Sequence, residues 1–272
     1  FGQGKRRVTL MSNVADNEKR LVATCGKGGT GKTVSVALMA RALSEASGTG
    51  KLLLIDADPA MGLLSALGVS VTRTMGEVRE KIIKTARAGK QEEKAQLVDA
   101  IDYMALEALC ETEKFAVLAM GRTETLGCYC PVNTLLRGAI EVLSKSFDTI
   151  LIDGEAGLEQ INRQVVSRLH TLLIVSDPTS RGLETAALIR KMVKVDKVME
   201  CKNLGLVLNR VRGSEQLLTD AARKLDLDLF GMIPFDETIA EHDLVGTPIV
   251  ELPDDSPALS AYRQIVERHI LN

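Results

Sequence analysis

Residues 25–33 of the chain read CGKGGTGKT. The spacing from Gly26 to Gly31, with Lys32 and Thr33 directly after it, fits the pattern of a phosphate-binding loop. Glycines let backbone N–H groups turn towards phosphate oxygens, and a helix that begins at Lys32 adds the positive end of its dipole. We therefore predict that Lys32 contacts the β- and γ-phosphates of a nucleotide and that Thr33 holds Mg²⁺. The predicted phosphate cradle consists of Gly28, Gly29, Thr30, Gly31, Lys32 and Thr33.

Short apolar runs bounded by Gly, Asp or Asn alternate with helical patterns along the rest of the chain. Runs of this kind are typical of parallel strands that are buried on both faces. We therefore predict an α/β fold with a doubly wound, mostly parallel sheet flanked by helices. The predicted strands are Leu21–Thr24, Leu52–Ile55, Thr149–Ile152, Leu172–Val175, Leu204–Leu208 and, more weakly, Phe230–Ile233. The predicted helices are Thr33–Ser44, Gly76–Ala88, Lys90–Leu109, Pro131–Ser144, Gly157–His170, Ser180–Val195, Ser214–Leu225 and Ser256–Ile270.

Two segments stand apart from this alternation. Residues 1–20 are mostly polar and charged, and we expect them to form a tail that is disordered or in part derived from a tag. Residues 63–122 are long, charged and rich in helical pattern. They form either solvated helix faces packed on the core or a family-specific insertion that contacts a partner. Residues 21–272 are predicted to form one domain.

Composition excludes several classes of function. The chain has 272 residues, a formal net charge of -2, 3% aromatic residues and no Trp, which argues against a nucleic-acid partner. No apolar run approaches the roughly 20 residues of a membrane span, and the N-terminus lacks the apolar core of a signal peptide. We therefore expect a cytoplasmic protein without a membrane partner. The cysteine count of five is odd and does not suggest a disulfide framework.

Three carboxylates follow two of the predicted strands. Asp56 and Asp58 end the run LLLIDADP, and Asp153 ends TILIDGEAG. In an open parallel sheet, ligands bind beyond the carboxyl ends of the strands, where the phosphate loop also lies. If the strand continues past Asp56, the side chains of Asp56 and Asp58, which are two residues apart, lie on the same face of the sheet. For each aspartate alone, a helix cap is the alternative.

The loop contains a second lysine, Lys27, which its phosphate chemistry does not require. The stretch KGGTGKT resembles the deviant P-loop of the MinD/Mrp/NifH class of ATPases, and DADP and DGEAG are similar to the switch I and Walker B/switch II motifs of that class. The resemblance implies an ATPase that uses ATP, ADP and Mg²⁺. It implies that Lys27 reaches across a dimer interface to the partner subunit's nucleotide, as an arginine finger does. It also implies that Asp58 positions the attacking water, while Asp56 and Asp153 support Mg²⁺ through water.

Two further stretches resemble the part of this class that binds the base. LVLNR is similar to the family's adenine-contacting segment, which implies that Asn209 is the amide that recognises the base. An asparagine side chain can pair with an adenine edge through one donor and one acceptor. The stretch IPFD resembles the loop that lines the base and includes Pro234. From the residues alone, a strand-end turn residue remains the alternative for Asn209.

The stretch GCYCP contains a pair of cysteines, Cys128 and Cys130, that would project to one face of an extended backbone. Pro131 suggests that a helix begins directly after the pair, and this position favours thiolates. Two thiolates are half of a tetrahedral site for a soft metal such as Ni²⁺ or Zn²⁺. The same pair from a second chain would complete the site, so the pair favours a homodimer.

The segments GRTETLGCYCPVNTLLRGAIEVL and DTILIDGEAGLEQINRQ closely resemble the CooC-type nickel-insertion accessory ATPases of carbon monoxide dehydrogenase and their acetyl-CoA synthase counterparts. That resemblance implies that Cys128 and Cys130 bind nickel at the dimer interface and that a carbon monoxide dehydrogenase or acetyl-CoA synthase is the client. Two alternatives stay open. One is an ATP-gated redox protein of the nitrogenase-reductase kind, and the other is a MinD-like or Mrp-like ATPase with another client.

Overall fold

A computed structural model describes residues 19–88, 103, 106–121, 138, 141–142, 145–154 and 168–272. Most of the predicted N-terminal tail lies outside these ranges. So do the cysteine pair and most of the predicted helices Lys90–Leu109, Pro131–Ser144 and Gly157–His170.

The described residues form an eight-stranded sheet in the order β3-β4-β2-β5-β1-β6-β7-β8. Neighbouring strands are parallel throughout except for β3, which pairs antiparallel to β4 at one edge. This arrangement confirms the predicted mostly parallel sheet. The strands are β1 (Arg20–Cys25), β2 (Leu52–Asp56), β3 (Leu109–Glu111), β4 (Ala116–Ala119), β5 (Thr149–Asp153), β6 (Arg168–Ser176), β7 (Glu200–Val211) and β8 (Leu229–Pro234).

Helices cover both faces of the sheet. Successive residues of β2 alternate between two buried apolar clusters, with Leu53 in one and Leu54 in the other, because side chains of a strand point to opposite faces in turn. In the described part of the chain, no helix is long and apolar enough to span a membrane. The α-helices are α1 (Lys32–Glu45), α2 (Gly62–Leu67), α3 (Met75–Ala88), α4 (Ser180–Lys194), α5 (Glu215–Lys224), α6 (Glu237–Val245) and α7 (Pro257–Val266), with a 3₁₀ turn at Ile249–Glu251 and a π-helical turn at Glu267–Leu271.

The described residues of 63–122 include the helices α2 and α3, as a helix-rich stretch predicts, and also two strands that were not predicted. The strand β3 begins at Leu109, which the predicted helix Lys90–Leu109 includes. All four residues of β4 are buried, because this strand pairs with β2 inside the sheet. The run is only four residues long, and its charged neighbours hid it in the sequence pattern.

Several other boundaries also differ. The predicted helix Gly157–His170 overlaps β6, which begins at Arg168, where an ion pair with Glu200 of β7 continues the strand pairing. The strand β7 runs for 12 residues, beyond the predicted Leu204–Leu208. The short helices α2 and α6 were not predicted, and each ends at a glycine with positive φ, Gly68 and Gly246.

The C-terminal helix α7 packs against α1, the helix that follows the phosphate-binding loop. Ser256 caps α7 by accepting a hydrogen bond from the backbone N–H of Leu259. Tyr262 is fully buried, and its hydroxyl donates to Oγ of Ser35 on α1. Ser35 Oγ in turn donates to the carbonyl of Gly31, 2.8 Å away. A chain of two hydrogen bonds therefore joins the C-terminal helix to the loop.

We expect the substitution Tyr262→Phe to lower the free energy of unfolding by about 1 kcal/mol, because it removes one buried hydrogen bond while Ser35 keeps its own acceptor. Urea denaturation followed by circular dichroism measures the change. Tyr103→Phe is the matched control: Tyr103 is 65% exposed, and its substitution should change stability by less than about 0.5 kcal/mol. Equal stability of Tyr262→Phe and wild type would contradict the hydrogen-bonded role of this hydroxyl.

Candidate functional site

The phosphate-binding loop connects the end of β1 at Cys25 to the start of α1 at Lys32. Lys27, Gly28 and Gly29 are exposed, whereas Thr30 is buried and its Oγ1 donates to the carbonyl of Lys27, 2.9 Å away. The loop thus has an open side that faces solvent at the N-terminus of α1. This geometry places the predicted cradle at a helix N-terminus, where anions bind favourably.

Two glycines of the loop are required by the backbone around them. Gly26 has φ 139°, and a Cβ there would lie 2.1 Å from the carbonyl oxygen of Val175 on β6. Gly31 has φ 93°, and a Cβ there would lie 2.3 Å from Nδ2 of Asn209. Any larger residue would push the loop away from the sheet, so these positions explain why the pattern needs glycine.

The two lysines of the loop occupy different surroundings. Lys32 is half-buried at the first position of α1, and its Nζ lies 3.4 Å from the carbonyl oxygen of Lys27. Its ammonium group therefore lies over the loop. Lys27 is exposed, which leaves its side chain able to extend away from its own chain.

Asp56 and Asp153 form the floor of the site. They are partners in the register of β2 and β5, and their exposures are 0% and 1%. Asp56 accepts hydrogen bonds from the backbone N–H groups of Asp58 (3.1 Å) and Leu63 (3.2 Å). The Oδ2 atom of Asp153 is buried and has no hydrogen-bond partner among the described residues. Two buried carboxylates therefore lie next to each other near the loop, and one oxygen of Asp153 lacks a hydrogen-bond donor.

Burial changes the acidity of both groups. It raises the pKa of Asp56 to about 6, although the two backbone donors oppose this change. It raises the pKa of Asp153 to about 7, and a hydrogen bond with the side chain of Thr33 offsets part of the rise. The negative charge of Asp56 raises the Asp153 pKa further, whereas Lys32 lowers it. These mutual effects show that Thr33, Lys32 and both aspartates share one site.

Asp58 lies beyond the end of β2, because the strand stops at Asp56 instead of continuing as the spacing argument assumed. Its Oδ1 accepts a hydrogen bond from the backbone N–H of Ala60 at 2.8 Å, and Met61 N–H donates to its carbonyl oxygen. The side chain is half-exposed and belongs to the turn that leads into α2. Asp58 therefore sits at the open edge of the site, where water has access.

Asn209 and Pro234 lie on the other side of the loop. Asn209 is buried at the end of β7, and its Nδ2 donates to the carbonyl of Thr30 at 2.8 Å. Pro234 ends β8. Both residues border a cavity of about 340 Å³, a size that suits a small ligand. The cavity is lined by Val34, Leu38, Asn209, Arg210, Pro234, Phe235, Asp236, Ile239, Ala240, Asp243 and Leu244.

A family model described as the CobQ/CobB/MinD/ParA nucleotide binding domain matches residues 21–249. The chain belongs to this family. Together with the phosphate-binding loop, the buried carboxylates and the cavity, this match identifies the protein as a P-loop ATPase. Its ligands are ATP or ADP and Mg²⁺.

Individual relatives of the family cover nearly the whole chain. The uncharacterized ATP-binding protein MJ0685 of Methanocaldococcus jannaschii is 36% identical over 92% of this chain and 98% of its own. The carbon monoxide dehydrogenase accessory protein CooC of Rhodospirillum rubrum is 32% identical over 87% of this chain and 90% of its own. The septum site-determining protein MinD of Pyrococcus horikoshii, solved in complex with Mg-ADP, is similar in structure, with a TM-score of 0.64, 26% identity, and coverage of 92% of this chain and 95% of that one.

The site fits a magnesium ion on the geometry of its own residues. The unpartnered Oδ2 of Asp153 lies in a site shared with Asp56 and the Thr33 hydroxyl, and burial makes the ionised form of both carboxyls unfavourable unless a cation binds. Carboxylate and hydroxyl oxygens are the ligands that Mg²⁺ prefers. Thr33, Asp56 and Asp153 are therefore chemically suited to hold the ion directly or through water.

The predicted soft-metal ligands Cys128 and Cys130 lie outside the described residues. Within the residues that are described, no group of three or more His, Cys, Asp or Glu side chains could hold a metal. Cys110 lies in β3 and is half-buried. Cys25 is buried at the end of β1, and burial raises its pKa to about 12, which keeps it a thiol.

One residue of the site was missed by the sequence reasoning. Arg210 lines the cavity, and its Nη1 donates to the carbonyl of Gly29 at 3.2 Å. It follows Asn209 directly in LVLNR, so its place in the motif was visible. Its contact with a loop 181 residues earlier in the chain was not visible, because that contact depends on the order of the strands, in which β6 separates β1 from β7.

We expect Asp153→Asn to stabilise the protein when nucleotide and Mg²⁺ are absent, and to do so more strongly at about pH 8 than at about pH 5. The folded-state pKa of Asp153 is about 7 and exceeds the unfolded value, so the folded state keeps a proton to higher pH. The stability contributed by that proton is present at low pH and is lost as the pH rises through 7. Asparagine is uncharged throughout and avoids this loss.

Urea denaturation in the presence of a chelator, at both pH values, measures this difference. Asp255→Asn, which changes an exposed carboxylate just before α7, is the matched control and should show little difference between the two pH values. A gain in stability that is the same at both pH values would show that the charge of Asp153 is not the cause.

Proposed function

We propose that this ATPase is a maturation factor that binds a soft metal ion, Ni²⁺ or Zn²⁺, and assists its insertion into an enzyme of the carbon monoxide dehydrogenase or acetyl-CoA synthase type. The observation that carries the proposal is the 32% identity to the accessory protein CooC over 87% of the chain. The Cys128-Tyr129-Cys130 stretch supplies ligands suited to such a cargo. We propose nickel before zinc because the relative CooC is an accessory protein of carbon monoxide dehydrogenase.

In this proposal the loop binds the triphosphate through backbone N–H groups of residues 28–33, and the ammonium of Lys32 contacts the β- and γ-phosphates. Asp58 accepts a hydrogen bond from the attacking water and orients it, for which its half-exposed position at the edge of the site is suited. Thr33, Asp56 and Asp153 hold Mg²⁺, which supplies charge neutralisation at the phosphates. Asn209 and Pro234 contact the base.

Lys27 acts on the partner subunit in this proposal. Its exposed position on the open side of the loop supports a role outside its own chain. When two chains face each other through their loops, its positive charge reaches the phosphates bound by the other chain and stabilises the transition state. ATP would therefore be hydrolysed efficiently only in a homodimer.

The nucleotide drives metal transfer only if it binds two states of the dimer with different affinity. We propose that ATP favours a closed dimer in which Cys128 and Cys130 of both chains form one four-thiolate site. Hydrolysis then favours an open state that releases the metal to the client. The intrinsic turnover is expected to be slow, with stimulation by metal or client.

A complementation experiment tests the action of Lys27 across the interface. Lys27→Ala and Asp58→Ala should each be nearly inactive, because one lacks the charge donated to its partner and the other lacks the group that orients water in its own site. Mixing the two variants should restore part of the ATPase activity, since a mixed dimer contains one site with an intact Asp58 and an intact Lys27 from the partner.

The variant Asp58→Ala/Lys27→Ala mixed with either single variant is the control and should restore nothing. If mixing the single variants also restores no activity, while an untagged variant co-purifies with an affinity-tagged one and so shows that mixed dimers form, Lys27 acts within its own chain.

Metal content tests the cargo directly. After anaerobic loading with Ni²⁺, the wild-type protein should hold about one metal ion per two chains, because a tetrahedral site needs four thiolates and each chain offers two. Cys128→Ser/Cys130→Ser should lose this metal and keep its ATP binding, whereas Cys201→Ser, at a half-buried position on β7, should keep both. Elemental analysis with molar mass from light scattering gives the ratio.

Equal nickel in the wild type and the double variant would contradict the proposal, as would a wild type that hydrolyses ATP without binding metal. A brown protein with visible absorbance would instead favour the iron–sulfur redox alternative.

A further inference from the structure

Two adjacent residues at the end of β7 hold two adjacent carbonyls of the phosphate-binding loop. Nδ2 of Asn209 donates to the carbonyl of Thr30 at 2.8 Å, and Nη1 of Arg210 donates to the carbonyl of Gly29 at 3.2 Å. The backbone N–H of Arg210 donates to Oδ1 of Asn209 at 3.0 Å, which ties the two side chains to each other. The loop is thus held from its outer side by a pair of donors.

These two hydrogen bonds determine where the loop's own donors point. Because a peptide group is planar and trans, its N–H points opposite to its C=O. When the carbonyls of Gly29 and Thr30 are directed outward to β7, the N–H groups of Thr30 and Gly31 are directed to the other side, into the cradle. The pair at the end of β7 therefore orients two of the groups that bind phosphate.

The backbone at Arg210 is shaped for this contact. Arg210 has φ 57°, a left-handed conformation that non-glycine residues rarely adopt. The register between β7 and β8 shifts between Leu208 and Val211, so Arg210 lies in a local irregularity of the strand. Such irregularities redirect a side chain beside a functional site. Here the redirected side chain is the one that reaches Gly29.

The same two residues border the cavity on the base side of the site. Asn209 and Arg210 line it together with Pro234 and Phe235, and the guanidinium of Arg212 lies 3.5 Å from the centre of the Phe235 ring. Asn209 uses one amide hydrogen for Thr30 and one acceptor position for Arg210, which leaves it one donor and one acceptor position for a base. A ligand in the cavity therefore touches the residues that hold the loop.

We propose that Arg210 is a positioning residue that couples occupancy of the base cavity to the shape of the phosphate-binding loop. A nucleoside that packs against Asn209 and Arg210 restricts both side chains, and both keep the amides of Thr30 and Gly31 directed at the phosphates. The two halves of a nucleotide then bind cooperatively. This role does not depend on the metal cargo, since it concerns nucleotide binding within one chain.

The coupling is measurable with the two halves of ADP as separate ligands. Isothermal titration gives the affinity for magnesium pyrophosphate with and without saturating 5′-deoxyadenosine, which lacks the 5′ oxygen and leaves room for the second ligand. In the wild type, the nucleoside should raise the affinity for pyrophosphate by about fivefold or more, within the usual range of coupling between two sites. Arg210→Ala and Arg210→Gly should abolish this increase.

The choice of variants separates the guanidinium from the backbone. Glycine adopts a positive φ without strain and alanine does not, so a loss in both variants points to the side chain. Arg210→Lys keeps a donor of similar length and should retain part of the coupling. Arg223→Ala, at an exposed position on α5, is the control and should retain all of it.

A direct contact of Arg210 with the base would change the affinity for 5′-deoxyadenosine and leave the coupling unchanged. A general loss of folding would lower both affinities and raise their apparent coupling, because each ligand would then stabilise the folded state that binds the other. Two results would overturn the proposal. One is the absence of coupling in the wild type, and the other is full coupling in Arg210→Ala or Arg210→Gly with an unchanged melting temperature.

Discussion

The rest of the site depends on two like charges that the fold buries side by side. Asp56 and Asp153 are register partners on adjacent strands and have almost no exposure to solvent. A buried carboxylate needs a cation or several donors, and here the donors suffice only for Asp56. Burial therefore raises the pKa of both carboxyls, so that Asp56 and Asp153 are partly protonated near neutral pH. We propose that a divalent cation, bound together with a nucleotide, relieves this repulsion.

Sheet order explains why this pair serves the phosphate-binding loop. The strand β5 lies between β2 and β1, so Asp153 stands between Asp56 and the loop that leaves β1. On the far side of β1, the strand β6 approaches Gly26 so closely that only glycine fits, and β7 ends where Asn209 and Arg210 reach the loop. Two strands, β6 and β7, therefore limit the shape of one short loop. The hydrogen bonds from Tyr262 through Ser35 add a third support from the C-terminal helix.

Much of this could be predicted because it rests on local patterns. The strand ends at Asp56 and Asp153 and the helix after Lys32 follow from apolar runs and glycine spacing. The strand β4 was missed because a run of four buried residues between charged neighbours is too short to show a strand periodicity. The helix α6 was missed because none of its residues is buried, so its sequence shows no apolar face. The contact of Arg210 with Gly29 was beyond sequence reasoning, since it joins segments 181 residues apart through a left-handed backbone. The roles of Lys27, Cys128 and Cys130 stay predictions.

If the two buried carboxylates hold the magnesium ion of the nucleotide, as we propose, binding must release protons from them. Binding of Mg·ADP is measured by calorimetry at about pH 6.5, in two buffers with different ionisation enthalpies, for the wild type and for Asp153→Asn. Because the pKa of Asp153 is about 7, the wild type should release more protons than the variant, and the excess should vanish at about pH 8.5. Equal proton release by the two proteins at the lower pH would show that Asp153 does not change its ionisation on binding, and would contradict the account.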